Sequence, residues 1–327
     1  MRVAVYGAGA IGGHVAARLA KGGATVSLIG RGAHLAAIQR DGLTVHAFDG
    51  THHSRPAASD NPADLGPQDA VIVTVKAPAL SSVAAGIGPL LGPDTPVAFV
   101  MNGIPWWYFA RHGGPLDDTR LLELDPGDAL RQAVGIERTI GGCVFSATAV
   151  IAPGVVRAEP GVLRLCLGEI DGAITPRVQA LAAVLEAGGF PTPVSADIRA
   201  DIWSKLVANL GSNPPCVLAR RGIRDTLADP VLKAAALACA REALAIAAAL
   251  GRPQPEALAE KAAGLTIAHK PSLLQDLELG RPMEIDGILA TPLKLARLVG
   301  VATPTLDLLV ALIQQSARAA GLYGEVA

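Results

Sequence analysis

Seven residues near the start of the chain limit its fold more than any others. They are Gly7-Ala8-Gly9-Ala10-Ile11-Gly12-Gly13. A short apolar run, Arg2 to Tyr6, precedes them, and an amphipathic stretch carrying Val15 and Leu19 follows, reaching Gly22-Gly23. Ala24 to Ile29 is then a second apolar run. The order is strand, Gly-x-Gly-x-x-Gly, helix, strand. In that setting Gly7 permits a tight turn, Gly9 lets backbone approach a pyrophosphate, and Gly12 lets the helix sit close to the sheet. The helix N-terminus then presents free N–H groups to phosphate. Gly7, Ala8, Gly9, Ala10, Ile11 and Gly12 are thus candidate dinucleotide-binding residues. A glycine-rich turn in a chain rich in alanine and glycine is the plainer alternative.

The end of the second strand bears on which dinucleotide. Sites for NAD usually place an acid there, against the ribose hydroxyls. Here the residues are Ile29-Gly30-Arg31. The Arg31 guanidinium suits a 2′-phosphate, so the expectation is NADP(H). The alternative is a surface arginine that begins the next helix.

Further along, Leu43–Ala47 and His52–Pro56 flank Phe48-Asp49-Gly50 and read as a hairpin. Asp69 to Val75 is almost continuously apolar, as a buried parallel strand should be. It ends at Lys76-Ala77-Pro78, where a helix is expected. Thr95 to Met101 is a further strand, ending at Asn102-Gly103. Ligands of doubly wound sheets gather at such strand ends. Lys76 and Asn102 are therefore candidates by position, although either could be an ordinary loop residue. Trp106-Trp107-Tyr108-Phe109 opens a long segment, rich in charge, Gly and Pro, that runs to Arg138. It could shape a pocket, cover a partner surface or act as a hydrophobic plug. Strands are expected at Gly141–Ile151, Val155–Ala158, Leu163–Leu167 and Phe190–Val194, and a helix at Thr175–Ala187. A domain boundary falls near Ser195.

The second half reads as helical. Asp197 to Pro214 carries apolar residues at Ile198, Ile202, Trp203, Leu206, Val207 and Leu210, which cover about half a helical wheel. Lys205, Asn209 and Asn213 are spaced by four, so they drift from the border of that arc into it. Buried amides need partners, and a ligand could supply them. Amides bonded to neighbouring backbone and a lysine reaching to water are the bland alternative. Asp229-Pro230 starts a helix to Leu250, and Pro255–His269 reads as another. Ser272-x-x-Gln275 matches a capping box. Arg281–Asp286 opens a helix whose early Glu284 would suit the helix dipole. Pro292 should kink or break that helix. Thr303-Pro304 starts the last one.

Totals narrow the function classes. Half of the 327 residues are hydrophobic and 3% are aromatic, so a large core must be built from Ala, Val, Leu and Ile. A net charge of −1 offers no basic face for nucleic acid. The first residues read as a strand rather than a targeting peptide, and charges interrupt each apolar run before it could span a membrane. The four cysteines (Cys143, Cys166, Cys216, Cys239) form no paired motif in the sequence, which fits reduced thiols in the cytoplasm.

Taken together, these segments resemble the ketopantoate reductase family. The resemblance runs through Gly7–Gly12, Val73-Thr74-Val75-Lys76-Ala77, Asn102-Gly103, Trp203 to Pro214, Ser272–Asp276 and Glu284-Ile285-Asp286. It implies an α/β chain: a Rossmann-type doubly wound NADP-binding domain over 1–195, then an all-α substrate and catalytic domain over 196–327. It implies NADPH-dependent reduction of ketopantoate to pantoate, in pantothenate biosynthesis. Lys205 matches the proton donor, and Glu284 the acid that holds and polarises the substrate site. Asn209, Asn213 and Ser272 match substrate contacts. Asn102 and Lys76 match residues near nicotinamide and substrate, and Arg31 the 2′-phosphate clamp. An apolar cleft would weaken the hold of Lys205 on its proton, and Glu284 would oppose that; their balance is left open.

Three departures stand near the expected pocket: the longer aromatic segment after Asn102, Pro215 beside Pro214, and Leu289 where the family often has Asn. A same-fold reductase of another small 2-oxo acid, and a non-catalytic NADP(H)-binding regulator, are the competing readings. No metal is expected. The sequence leaves the oligomeric state open, with a homodimer among the possibilities.

Overall fold

A computed structural model describes residues 1–324. The last three residues of the expected second domain, 325–327, lie outside the described residues. The chain forms two compact units, one of Met1–Met101 with Pro105–Ile198, the other of Asn102–Ile104 with the chain from Arg199 onward.

The first unit holds eleven strands in two sheets. They are β1 (Arg2–Tyr6), β2 (Thr25–Ile29), β3 (Leu43–Ala47), β4 (Gly50–Ser54), β5 (Ala57–Ser59), β6 (Ala70–Val73), β7 (Val97–Val100), β8 (Thr139–Phe145), β9 (Thr148–Ala152), β10 (Val155–Ala158) and β11 (Arg164–Glu169). The main sheet runs β11-β8-β7-β6-β1-β2-β5. Its pairs are parallel except β8 with β11. Val71, Ile72 and Val73, like Val97 and Ala98, are fully buried, as strands covered on both faces require. The strand order reverses at β1, which lies between β2 and β6. A doubly wound sheet opens its ligand crevice at the carboxyl ends beside such a switch. Those ends here are Gly7 after β1 and Thr74–Lys76 after β6.

The expected hairpin is present as β3 and β4. It belongs to a second sheet, ordered β4-β3-β10-β9, that sequence periodicity did not separate from the first. This sheet packs on the helix Ala10–Lys21. The contact accounts for Gly13, which the fingerprint leaves unexplained. A Cβ at Gly13 would lie 2.9 Å from a Val156 methyl.

Other expectations need correction. Phe190–Val194 is not a strand. Pro191 and Pro193 accept backbone bonds from Leu165 and Leu167, but neither has an N–H to return. The segment lies along β11 with a single bridge, Leu167 to Val194. The aromatic segment is a plug: Trp107, Tyr108 and Phe109 are at most 1% exposed. Phe99 meets Trp106 edge to face, as Tyr108 meets Phe109. Gly141 leaves room for the Trp107 ring, which an added Cβ would approach to 2.7 Å. Cys143 and Cys166, remote in sequence, are directly opposed across β8 and β11. All four cysteines are buried.

The second unit is helical apart from its connections. The helix Ile198–Ala219 contains both Pro214 and Pro215. It packs closely on the helix Pro230–Ala249 because Gly211 lacks a side chain: an added Cβ would lie 3.2 Å from that of Ala240. Asp229 caps the second helix, accepting from the N–H groups of Val231 and Leu232. The helix expected over Pro255–His269 is shorter, Ala257–Ala263, closed by Gly264. Beyond it the chain is held by backbone bonds from Ile223 to His269 and from Arg224 to Ile267. Among the described residues, no helix is long and apolar enough to cross a membrane.

Candidate active site

The glycine loop turns sharply between β1 and the helix Ala10–Lys21. Gly7 has φ +115°, and a Cβ there would lie 2.9 Å from Val75. At Gly12 a Cβ would collide with the Gly7 carbonyl oxygen. That oxygen also accepts a 2.8 Å bond from the Thr74 hydroxyl, so β6 fixes the loop. Gly9 is different. An added Cβ would meet nothing within 4 Å, so protein packing does not demand glycine there. The open space leaves room for a ligand to approach the backbone. Gly9 also caps the helix with no side-chain bond, leaving the first-turn amides facing outward.

The loop divides its labour. The Gly7 and Ala8 amides both donate to the Ile29 carbonyl, at 3.0 and 2.9 Å. Ala8 is buried and Ile11 packs against the core. The N–H groups of Gly9 and of the first helical turn, Ala10 to Gly12, are the ones left for a phosphate to meet. Arg31 follows β2 through Gly30 and caps the helix Gly32–Asp41. It is exposed, with one terminal nitrogen 3.5 Å from the Ser82 hydroxyl. Burial pushes the Tyr6 hydroxyl up, and the nearby Arg31 charge partly offsets this. Lys76, exposed, begins the short 3₁₀ turn Ala77–Ala79. These groups fit the pyrophosphate and 2′-phosphate of NADP(H).

The second set lies in the helical unit. On the helix Ile198–Ala219, Lys205 and Asn209 are half-buried, while Asn213 is 2% exposed. The drift into the apolar arc is the one their spacing predicts. The Lys205 ammonium donates to the Asn102 amide oxygen at 2.6 Å, a short charge-assisted bond. Asn213 Nδ2 donates to the Asn209 backbone carbonyl, which leaves the buried Asn213 Oδ1 without a protein partner. Such an acceptor calls for a water or a ligand hydroxyl.

Ser272 is not a cap. It is the first residue of the helix Ser272–Glu278, whose N-cap is Pro271. Gln275 turns back to the Lys270 carbonyl instead. The preceding proline displaces the box by one position, and the half-buried Ser272 hydroxyl has no capping duty. Glu284 is 6% exposed and lies just ahead of the helical segment beginning at Ile285. Residues Asp286–Ala290 there form a π turn that leads into the helix Thr291–Leu298. Pro292 stands in the first turn of that helix, where its missing N–H has no ladder bond to lose, and the change from π to α geometry falls just before it. Leu289 is fully buried within the π turn.

Asn102 belongs with this second set although it follows β7. Asn102–Ile104 is a strap counted with the helical unit. Ile104 donates its N–H to the Gly287 carbonyl at 2.8 Å. Thr74 and Gly287 support the two sets without touching chemistry directly, and motif reading passed over both. The signal for Gly287 was a glycine inside a helical pattern.

The ketopantoate reductase PanE/ApbA family model matches residues 3–172, and its C-terminal companion matches residues 197–317. A 2-dehydropantoate 2-reductase of Mesorhizobium japonicum is 43% identical over 327 residues, covering 99% of this chain and 100% of that protein. A solved structure from Ralstonia solanacearum, assigned to the ketopantoate reductases, superposes with a TM-score of 0.90 at 41% identity. The match covers 98% of this chain and 99% of that one. The 2-dehydropantoate 2-reductase of Methylococcus capsulatus gives 0.83 at 27% identity, covering 100% and 99%.

Proposed function

Because the chain belongs to the ketopantoate reductase family, we propose that it reduces ketopantoate (2-dehydropantoate) to pantoate with NADPH. The observation that carries the reading is the Lys205–Asn102 bond of 2.6 Å. It puts an ammonium, bonded to a neutral amide oxygen, on a helix where Asn213, about two turns further on, carries a buried oxygen without a protein partner.

NADPH, when bound, supplies the hydride that reduces the keto carbon. The chain's own residues do the rest. Gly9 to Gly12 and Arg31 bind the cofactor phosphates, with Lys76 near the nicotinamide. The carbonyl oxygen of the substrate gains negative charge as the carbon is reduced. The Lys205 ammonium stabilises that charge and then donates its proton, completing the hydroxyl. Asn102 orients the ammonium without neutralising it. Asn209, Asn213 and Ser272 recognise the carboxylate and hydroxyl groups of the substrate, and Glu284 holds the polar end of the site. The first unit serves as the NADP-binding domain and the second as the substrate domain. The reaction fits a cytoplasmic biosynthetic enzyme.

Leu289 supports one competing substrate reading, because an apolar side chain replaces the amide common at that position. Oxidation of NADPH, followed with ketopantoate and with a panel of smaller and larger 2-oxo acids, separates the two. The expected result is the highest kcat/KM with ketopantoate. A better substrate within the panel overturns the ketopantoate assignment but keeps the chemistry. Cofactor binding with no turnover on any 2-oxo acid identifies a regulator instead.

A further inference from the structure

The bond between Lys205 and Asn102 depends on where Asn102 is held, and the strap that holds it has an unusual seat. Gly103 has φ +79°, in the left-handed region that favours glycine. A Cβ at Gly103 would overlap the Gly287 carbonyl oxygen. That same oxygen accepts the Ile104 N–H at 2.8 Å. From the other side, a Cβ on Gly287 would lie 3.4 Å from the Asn102 carbonyl oxygen and 3.6 Å from that of Ile104. Two glycines therefore meet backbone to backbone, directly beside the amide that receives the Lys205 proton donor bond.

Gly287 lies inside the π turn Asp286–Ala290. Glycine is a weaker helix former than alanine at such a position, so local propensity does not account for it. A methyl would sit at ordinary contact distance from both strap carbonyls, and the γ-carbons of a branched side chain add bulk beyond that contact. Thr291 gives its N–H to the Asp286 carbonyl, and Pro292 has none to give. The Gly287 carbonyl is thereby left to receive the strap.

We propose that Gly287 is a positioning residue: its bare backbone in the π turn seats the Asn102–Ile104 strap and so fixes Asn102 against the Lys205 ammonium. The inference rests on the reading of Lys205 as proton donor for its consequence in catalysis, but the seat itself can be read without turnover. Gly287→Val pushes the strap off its seat. The Asn102 amide then leaves Lys205, whose amine becomes more reactive.

The test is the rate at which the Lys205 amine of the intact folded chain is labelled by trinitrobenzenesulfonate, followed by mass spectrometry of its peptide. Wild type, Gly287→Val, Asn102→Ala and the double variant are compared. A bond to a charged group shields the amine by about tenfold, so Gly287→Val and Asn102→Ala should each label about tenfold faster than wild type. The double variant should be no faster than either, because both changes remove one interaction. Gly287→Ala should show a smaller increase than Gly287→Val. If Gly287→Val loses its cooperative unfolding transition, Gly287→Ser carries the comparison, with an increase of at least about threefold.

Wild-type labelling in the Gly287 variants, or an additive increase in the double variant, overturns the seat. With ketopantoate, Gly287→Val should lower kcat while the Kd for NADPH stays unchanged. A merely structural glycine would lower the Tm and leave both the labelling and the split between kcat and Kd unmoved. Absence of ketopantoate turnover in wild type counts against the proposed substrate and leaves the labelling result to decide the seat.

Discussion

In the proposed reaction, Lys205 is the residue on which the chemistry turns. On that reading, replacing it with Ala removes both the charge that stabilises the developing oxyanion and the proton that quenches it. The expected loss in kcat is about 10²–10⁴-fold, with NADPH binding retained, since the residues proposed to bind its phosphates lie on the glycine loop and at Arg31. Steady-state kinetics and a fluorescence titration with NADPH check the two halves; near-normal turnover would remove Lys205 from its role. Arg31→Ala should weaken NADPH far more than NADH, because only NADPH carries the 2′-phosphate that the guanidinium fork matches. Equal losses for the two cofactors would count against that pairing. The spacing of Lys205, Asn209 and Asn213 made their progressive burial readable in advance. The partner of Lys205 could not be read that way, because Asn102 lies 103 positions upstream. Only the fold brings the two together.

At the scale of elements, start signals were readable and end signals less so. Asp229-Pro230 marks its helix correctly because cap and first-turn proline act on adjacent residues. Asp229→Ala should lower stability by about 1 kcal/mol, seen as a smaller denaturant midpoint at unchanged slope. The Ser272-x-x-Gln275 pattern misled, because Pro271 takes the cap position and a pattern of side chains does not fix its own register. Phe190–Val194 has strand-like composition, but two prolines remove the donors a ladder needs. The helix after Pro255 stops at Gly264, where the chain turns to bond with residues 222–224. That competition is between distant segments, so local preference could not decide it. Pro292, expected to interrupt a helix, lies where the π turn gives way to the α-helix Thr291–Leu298.

At the scale of the whole molecule, the doubly wound sheet was legible from a few dozen residues around the glycine loop. The second sheet was not, since its strands come from separate stretches and meet only on the helix Ala10–Lys21. A buried polar network ties that helix to the hairpin. Arg18, fully buried, makes two 2.7 Å bonds to the Asp49 carboxylate and one of 3.1 Å to His14 Nε2. The His14 ring stacks on Phe190. Burial first, and then the Arg18 charge, lower the His14 pKa to about 4. Arg18 holds the Asp49 carboxyl well below the usual carboxylate range. The unfolded chain therefore takes up a proton at His14 near its ordinary value of about 6.5, before the folded chain does. Stability from His14 is complete above that pH and is lost as pH falls towards 4. Asp49 adds a further loss below about pH 4, where the unfolded carboxyl protonates first. The Tm should fall between pH 6.5 and 4, and His14→Asn should flatten that slope. A slope unchanged in the variant would show that His14 does not set it.

The central claim is the proposed reduction of ketopantoate with NADPH. The direct measurement is the product formed from ketopantoate with NADPH deuterated at the transferable position, followed by mass spectrometry. Hydride transfer to the keto carbon predicts pantoate carrying a single deuterium on the carbon of the new hydroxyl, at a rate that collapses in Lys205→Ala. Pantoate without that deuterium, or no pantoate from a chain that binds NADPH, would contradict it.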